Sequence, residues 1–373
     1  MALNQVGLER LTTTTTDKIG ERKNLIINGA MQVAQRGTSE SSVSTTQYAN
    51  APDRWRIVAG NGGTWTLSQS TTSPNLFKNS YKFDCTTADS SLGAGDFLAF
   101  DQGLEGLDLQ GLGWGTSDAK SVTVSFHVRS NKTGTYTCEL FQGAGAVGGS
   151  NILVSKSYTI SVADTWEKKT ITFSGNTAVA FTNDNSRQLT LNLWLAAGSN
   201  FTGGTFSDGT YHNANNKRVA SGQVNLADST SNEWYITGVQ IEVGSVATDF
   251  EHRSFAEELA LCQRYFEKSY DHSTQAGTAT SSGSLNNGGL TGVNNASHAT
   301  RASIRYKVTK RASPTVTTFD LAGNSGKCNF PDTSSNVTMT VLQAGFNGCA
   351  VETAAVTTTD TRCYYHFTAE SEL

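Results

Sequence analysis

Apolar and polar residues alternate with a period of two along many short segments of this chain, and that pattern constrains its fold more than any other feature. In KSVTVSFHVRS, Val122, Val124, Phe126 and Val128 alternate with Thr123, Ser125, His127 and Arg129. In RQLTLNLWLAAG, Leu189, Leu191, Leu193 and Leu195 point one way and Thr190, Asn192 and Trp194 the other. Such alternation puts every second side chain on one face of a half-buried strand. DRWRIVA, TWTLSQS, SYKFDCT, FLAFDQG, TYTCELFQ, KKTITFSG and EWYITGVQIEVGS are further strands, separated by Gly/Asn/Ser loops such as NGG, NDNS and GSNFTGGTFSDG. About ten strands over residues 24–250, with no helical period among them, predict an antiparallel jelly-roll β-sandwich in a mainly β chain. Composition agrees: charged residues are 16% of the 373, against roughly 25% in an average soluble protein, and there are 36 Gly and 4 Pro. Thr and Gly suit solvated strand faces and hairpin turns, whereas long amphipathic helices need more Ala, Glu, Lys and Leu.

Three segments flank the sandwich. Residues 1–23 form a polar, low-complexity arm with no apolar period, either solvated or docked on a partner through Leu3, Val6, Leu8 and Leu11. Residues 251–272 carry one short connecting helix, expected over 254–268. Phe255, Leu259, Cys262 and Phe266 make its apolar stripe, and Ser254 with Glu257 a capping box at its start. With one seam it must pack on the sandwich or on copies of itself. Residues 273–373 read as a smaller C-terminal β domain, with strands in RASIRYKVTK, SPTVTTFDLAG, NVTMTVLQAG and RCYYHFTAESEL. Its expected core of Ile304, Tyr306, Val308, Val316, Met339, Val341, Phe346, Tyr364 and Phe367 is thin, which favours association into an oligomer.

Charge and motif content exclude several functions. A net charge of −4 with no basic block offers no footprint for nucleic acid. No signal-peptide pattern and no run of 18 apolar residues indicate export or membrane insertion. The six cysteines form no C-x-x-C pair and read as reduced thiols, with a disulfide among Cys328, Cys349 and Cys363 as the lesser option. GLEGLDLQGLGWG lacks the Lys-Ser/Thr ending of a phosphate-binding loop, no G-x-S-x-G elbow occurs, and the scattered histidines lack metal-ligand spacing. No cofactor, no metal and no catalytic residue is therefore expected. Glycosidase chemistry would need two facing carboxylates, and Asp96, Asp101, Glu139 and Glu167 cannot be paired from sequence. Glycan binding asks instead for aromatics on a polar strand face, where sugar C–H faces stack. Trp194 meets that pattern, Trp234 is out of phase with Tyr235, Val239 and Ile241, and His127 and Arg129 also occupy a polar face. The alternative for each is packing under a loop or at a subunit interface. Trp55 reads as core.

Two stretches carry a resemblance. NLIINGAMQVAQRGTS with the Asp53-Arg54-Trp55 triplet, and EWYITGVQIEVGSVATDFEHRSFAEELALCQRYFEKSY, resemble the paired signatures of bacteriophage virion fibre proteins, familiar in phages of marine and aquatic bacteria. The resemblance covers the borders of the sandwich and the helix. It implies a tail fibre or spike located in the virion, a homotrimer, with a sandwich similar to carbohydrate-binding modules. It also implies that the arm attaches to other virion structural proteins and that host surface polysaccharide is a ligand. The chain departs from better-known tail fibres in lacking a collagen-like or coiled-coil shaft, a large tail-anchoring domain and a self-cleaving chaperone segment. A head or neck fibre, an adaptor or a decoration protein without a receptor stays open, as does the less favoured polysaccharide depolymerase.

Overall fold

The structure, a computed structural model, describes residues 22–143, 151–286, 299–330, 335–354 and 362–373. Leu3, Val6, Leu8 and Leu11 lie outside the described residues. The sandwich is built from β1 (Ser39–Val43), β2 (Arg56–Gly60), β3 (Thr64–Ser70), β4 (Ser80–Thr87), β5 (Phe97–Glu105), β6 (Val122–Ser130), β7 (Gly134–Gln142), β8 (Ile152–Ile160), β9 (Glu167–Phe173), β10 (Arg187–Ala197) and β11 (Glu233–Val243). A six-stranded sheet in the order β1-β3-β4-β11-β6-β9 faces a five-stranded sheet in the order β2-β5-β10-β7-β8, and the strands pair antiparallel. The predicted sandwich is therefore the observed one. Leu189, Leu191, Leu193 and Leu195 meet Val122, Val124, Phe126 and Val128 in a single core, because period-two alternation sends each set to the inner face. Trp55 stacks on Phe100 at 4.6 Å inside it, and the Gly-rich 103–115 stretch buries Leu109, Leu112 and Trp114 against it.

The connecting helix α1 is shorter than expected, spanning Phe255–Gln263. Its capping box is present: the Ser254 hydroxyl accepts from the Glu257 amide at 3.3 Å, and the Glu257 carboxylate accepts from the Ser254 amide at 2.9 Å. The helix stops because Phe266–Lys268 is taken by strand pairing: this segment is β12, with Phe266 opposite Glu370. Backbone hydrogen bonds of a ladder replace those of a further helical turn. Cys262 packs with Ile27, Val33 and Tyr265, so the helix seats on its own chain, while Phe255 at the start of the stripe stays 45% exposed.

The second sheet starts at β12, so the boundary at 273 moves back to 266. It continues through β13 (Leu285–Asn286), β14 (Arg301–Arg305), β15 (Thr315–Phe319), β16 (Lys327–Phe330), β17 (Ser335–Gly345), β18 (Gly348–Thr353) and β19 (Tyr364–Glu370). Its main path runs β12-β19-β16-β17-β18-β14, with β13 and β15 also on β19. Ile304, Met339 and Phe367 are buried as expected, joined by Tyr365, Val351 and three cysteines. The other six expected core residues are not fully buried: Tyr306, Val308, Val316 and Val341 are half-buried, Phe346, in the turn between β17 and β18, is 51% exposed, and Tyr364 is half-buried because alternation sends its neighbour Tyr365 inward.

The two signature stretches meet in one polar joint between the sheets. Asn28 donates from its side chain to the carbonyls of Val33 (2.8 Å) and Asp53 (2.9 Å), and its amide donates to Glu258 of α1 at 2.5 Å. Asp53 accepts from the Gln35 amide at 2.9 Å and from the Gln35 side chain at 2.7 Å. Arg54 lies over the Tyr265 ring at 3.4 Å, donates to the Gly103 carbonyl at 2.9 Å and pairs with Glu372. Arg264 clasps Glu105 with two bonds of 2.6 and 2.7 Å. Asp53, Arg54 and Glu105 are buried and depend on these partners, whereas Arg264 is 30% exposed and the Arg54 Nε has no hydrogen-bond partner among the described residues.

Candidate functional site

The sandwich has two outer faces, and both are covered in part: on the six-stranded sheet the 248–251 segment lies over Gln240 and Glu242, while the outward residues of β4 and β9 stay partly exposed. Over the five-stranded sheet the 198–225 segment folds back. It buries Thr190, Asn192, Thr137 and Glu139, with Arg218 donating to both Glu139 oxygens at 2.6 and 2.8 Å. At the other end of that face Arg56 pairs with Asp101 at 2.5 Å, and Arg187 reaches the Leu373 carbonyl. Polar residues on this face are polar for pairing, not for solvent.

Two expected glycan-binding residues are corrected by this geometry. Trp194 does project from the outer face, but it is 3% exposed, packed on Phe201 at 5.3 Å under the Arg218 guanidinium at 4.9 Å. Trp234 is fully buried in the core, edge-on to Phe83 at 5.7 Å. Trp234 departs from simple alternation because β11 carries a bulge: Thr237 pairs with His127, and the next pairing is Gln240 with Ser125. Gly238 in the bulge has φ +64. One extra residue moves Val239 and Ile241 to the face that Trp234 and Ile236 already share, and leaves Tyr235 on the outside. The signal was present in the sequence: a glycine in the interior of a strand marks such a bulge.

His127 and Arg129 lie on the outer face of the six-stranded sheet. Lys82, Tyr235 and Arg129 stand in one row across β4, β11 and β6. Arg129 lies 5.0 Å from the Tyr235 ring and bonds Asp164 at 2.9 Å; half-buried Trp166 meets Tyr235 edge-on at 6.3 Å. Burial alone would raise the Glu233 carboxyl, but the Lys82 ammonium at 2.6 Å and the Tyr235 hydroxyl outweigh it and hold that carboxyl below its usual range. One row further on, His127 is half-buried beneath Phe77 at 5.2 Å. Burial, with Lys168 opposite, pushes its pKa down, so the imidazole is neutral at pH 7.

Beyond His127 the face ends in a cavity of about 330 Å³ lined by Ala30, Gln32, Leu76, Phe77, Lys78, Asn79, His252 and Phe255. Its size falls within the range of small-molecule sites, roughly 300–1,000 Å³. Phe77 forms one wall, packed on Phe250 at 5.1 Å and His252 at 5.2 Å. The bulge makes room for it: a Cβ on Gly238 would stand 2.5 Å from the Phe77 ring. Leu76 beside it is 87% exposed and has φ +76, a backbone region that a branched aliphatic residue rarely enters. Sequence reading missed Phe77, His252 and Phe255 as a group because they come from a loop and a helix start far apart in the chain, and no local pattern joins them.

The four carboxylates considered for glycosidase chemistry are each taken up by local structure. Asp101 and Glu139 are paired with arginines as above. Asp96 accepts from the Gly93 amide at 2.6 Å, and Glu167 accepts from the Ser161 and Val162 amides while pairing with Lys169 at 2.5 Å. Among the described residues no three His, Cys, Asp or Glu side chains gather in a way that could hold a metal ion. No helix among them is long and apolar enough to cross a membrane.

No family model and no curated protein matches the chain. Among solved structures it is similar to the enzymatically active domain of tailspike protein 4 of bacteriophage CBA120, at 12% identity and a TM-score of 0.29 over 59% of this chain and 21% of that one. It is similar to the xylan-binding CBM22-1 domain of Paenibacillus barcinonensis Xyn10C, at 12% identity and a TM-score of 0.29 over 61% of this chain and 100% of that one. It is also similar to the family 11 carbohydrate-binding module of a cellulosomal cellulase of Clostridium thermocellum, at 10% identity and a TM-score of 0.28 over 57% of this chain and 100% of that one.

Proposed function

We propose that this chain is a non-enzymatic structural protein of a bacteriophage virion, a tail fibre or spike. In this reading it is a homotrimer that binds host-surface glycan in the cavity at the end of the outer face of its six-stranded sheet. Residues 1–23 attach it to other virion proteins. The observation that carries the reading is the convergence, in that cavity, of exposed Phe255 and the Phe77 wall with Gln32, Lys78, Asn79 and His252. Aromatic rings take the apolar faces of sugars, and amide, ammonium and imidazole groups bond their hydroxyls. Engagement of Asp96, Asp101, Glu139 and Glu167 within the fold speaks against depolymerase chemistry.

Glycan-array binding by the purified chain tests this directly. The expected result is a bound glycan class, weakened at least about tenfold by Phe255→Ala and unaffected by Trp166→Ala at the far end of the face; about tenfold corresponds to roughly 1.4 kcal/mol. A wild-type protein that binds no glycan of its host, or Phe255→Ala binding as wild type, overturns the reading. A second reading, an adaptor or decoration protein without a receptor, is favoured by the exposure of Leu76, whose apolar side chain suits a protein neighbour as well as a sugar. A virion map with this cavity covered by another virion protein would establish it.

A further inference from the structure

Cys328 and Cys363 meet in the second core. β16 and β19 are antiparallel neighbours with Asn329 opposite Tyr364. In that register Cys328 faces Tyr365 and Cys363 faces Phe330, and alternation turns all four toward the same side. Both cysteines are fully buried in the same apolar cluster. Their thiols contact each other, and that contact, ahead of burial, pushes the Cys328 thiol far above its usual range. Cys349 shares the cluster but is directed to the Tyr306 hydroxyl instead, and Cys85, Cys138 and Cys262 lie in other cores.

We infer that Cys328 and Cys363 are a disulfide-forming pair that closes when the folded chain meets a small organic disulfide outside a reducing medium. The step is thiol–disulfide exchange. One cysteine, as thiolate, displaces one half of the small disulfide as a thiol and forms a mixed disulfide. The second cysteine then attacks that bond and releases the other half. The protein loses two electrons and two protons, and the small disulfide gains them as two thiols. Burial keeps the thiolate scarce, so closure is slow and proceeds through local opening. The bond would tie together the two ends of the β17–β18 hairpin and restrict the unfolded chain across it, stabilising a sheet with few large apolar residues.

The full chain incubated with oxidised glutathione and digested with trypsin tests this. Cleavage after Lys327 and Arg362 places the two cysteines in separate peptides, 328–362 and 363–373, the first also holding Cys349. The expected product is a linked pair of these peptides lighter by two hydrogens, with fragmentation assigning the bond to Cys328. It should persist in Cys349→Ser, and the melting temperature should rise and fall back on addition of a phosphine reductant. A link through Cys349, glutathione retained on either cysteine without a cross-link, or complete alkylation of all six cysteines on unfolding would each overturn the inference.

Discussion

At the scale of single residues, Gly238 decides what the outer face of the six-stranded sheet presents. Its positive φ permits the bulge, the bulge turns Trp234 inward and Tyr235 outward, and its missing side chain leaves the space that Phe77 fills. Alanine there must adopt a left-handed conformation and push the Phe77 ring, since the nearest ring carbon would stand 2.5 Å from the new Cβ. Gly238→Ala should cost about 1–2 kcal/mol from the backbone alone, read as a lower denaturant midpoint at unchanged slope. It should also weaken whatever the cavity binds, because Phe77 is its wall. Stability equal to wild type would mean that the bulge relaxes freely and does not hold the loop. The same residue shows why strand phase was legible for Trp194 and not for Trp234: alternation is reliable only while the ladder has no extra residue. For Trp194 the phase was right and the exposure was not, because covering by the 198–225 segment is a tertiary fact with no periodic signature.

At the scale of elements, strands with strong alternation were legible nearly to the residue, as β3 and β11 are. Those missed fall into two kinds. β1, SESSV, and β8, ILVSKSYTI, mix polar and apolar residues as sheet edges do, and β12, β13, β16 and β18 are short pieces whose strand character comes from the neighbours they pair with. The helix start was legible because a capping box is local chemistry; its end was not, because β19 competes for Phe266–Lys268. Ser254→Ala removes the acceptor for the Glu257 amide and should cost about 1 kcal/mol, measured by thermal or denaturant unfolding. The loss should concentrate in faster amide exchange over 255–258, because later turns are held by Cys262 and Tyr265 in their own small core. Unchanged exchange in that first turn would show that packing, not the cap, fixes the helix start.

At the scale of the molecule, the joint between the sheets carries the signature residues, so their first role in the fold is to hold two β units together. Glu372 is the pivot, paired with both Arg54 and Arg36 while almost wholly buried. Glu372→Gln leaves the buried Arg54 guanidinium without its counter-charge, while Arg36 keeps Glu370 at 3.1 Å, and should cost about 3–5 kcal/mol, with amide exchange at Ser371 accelerating. The double change Arg54→Met with Glu372→Met should cost less than either single change, since Arg54 is then not stranded and Arg36 keeps Glu370.

Response to pH tests the whole fold at once, because five of its six buried thiols, Cys85, Cys138, Cys262, Cys328 and Cys349, have raised pKa values, burial being the main cause in all but Cys328. A thiol whose folded pKa lies above its unfolded value of 9.0 keeps its proton in the fold and loses it on unfolding. Its contribution is complete below pH 9 and is lost as pH rises toward the folded value, which for Cys85 is about 11. Lys268 acts in the opposite sense: burial lowers its pKa from 10.5 to about 8, so its penalty lifts as pH rises between those values. Lys310, whose pKa burial also lowers, acts with it, but two ammoniums against five thiols cannot hold the balance, at roughly 1.4 kcal/mol per proton and pH unit. The denaturant midpoint, measured with a phosphine reductant present, should therefore vary little from pH 7 to 8.5 and fall steeply from 9 to 10.5. Lys268→Met should steepen the fall, since it removes one of the groups that act in the opposite sense. If Cys328 and Cys363 are joined, one of the five titrating thiols is gone, and oxidised protein should lose stability more slowly over that range than reduced protein; equal slopes would mean that Cys328 contributes nothing to the alkaline transition.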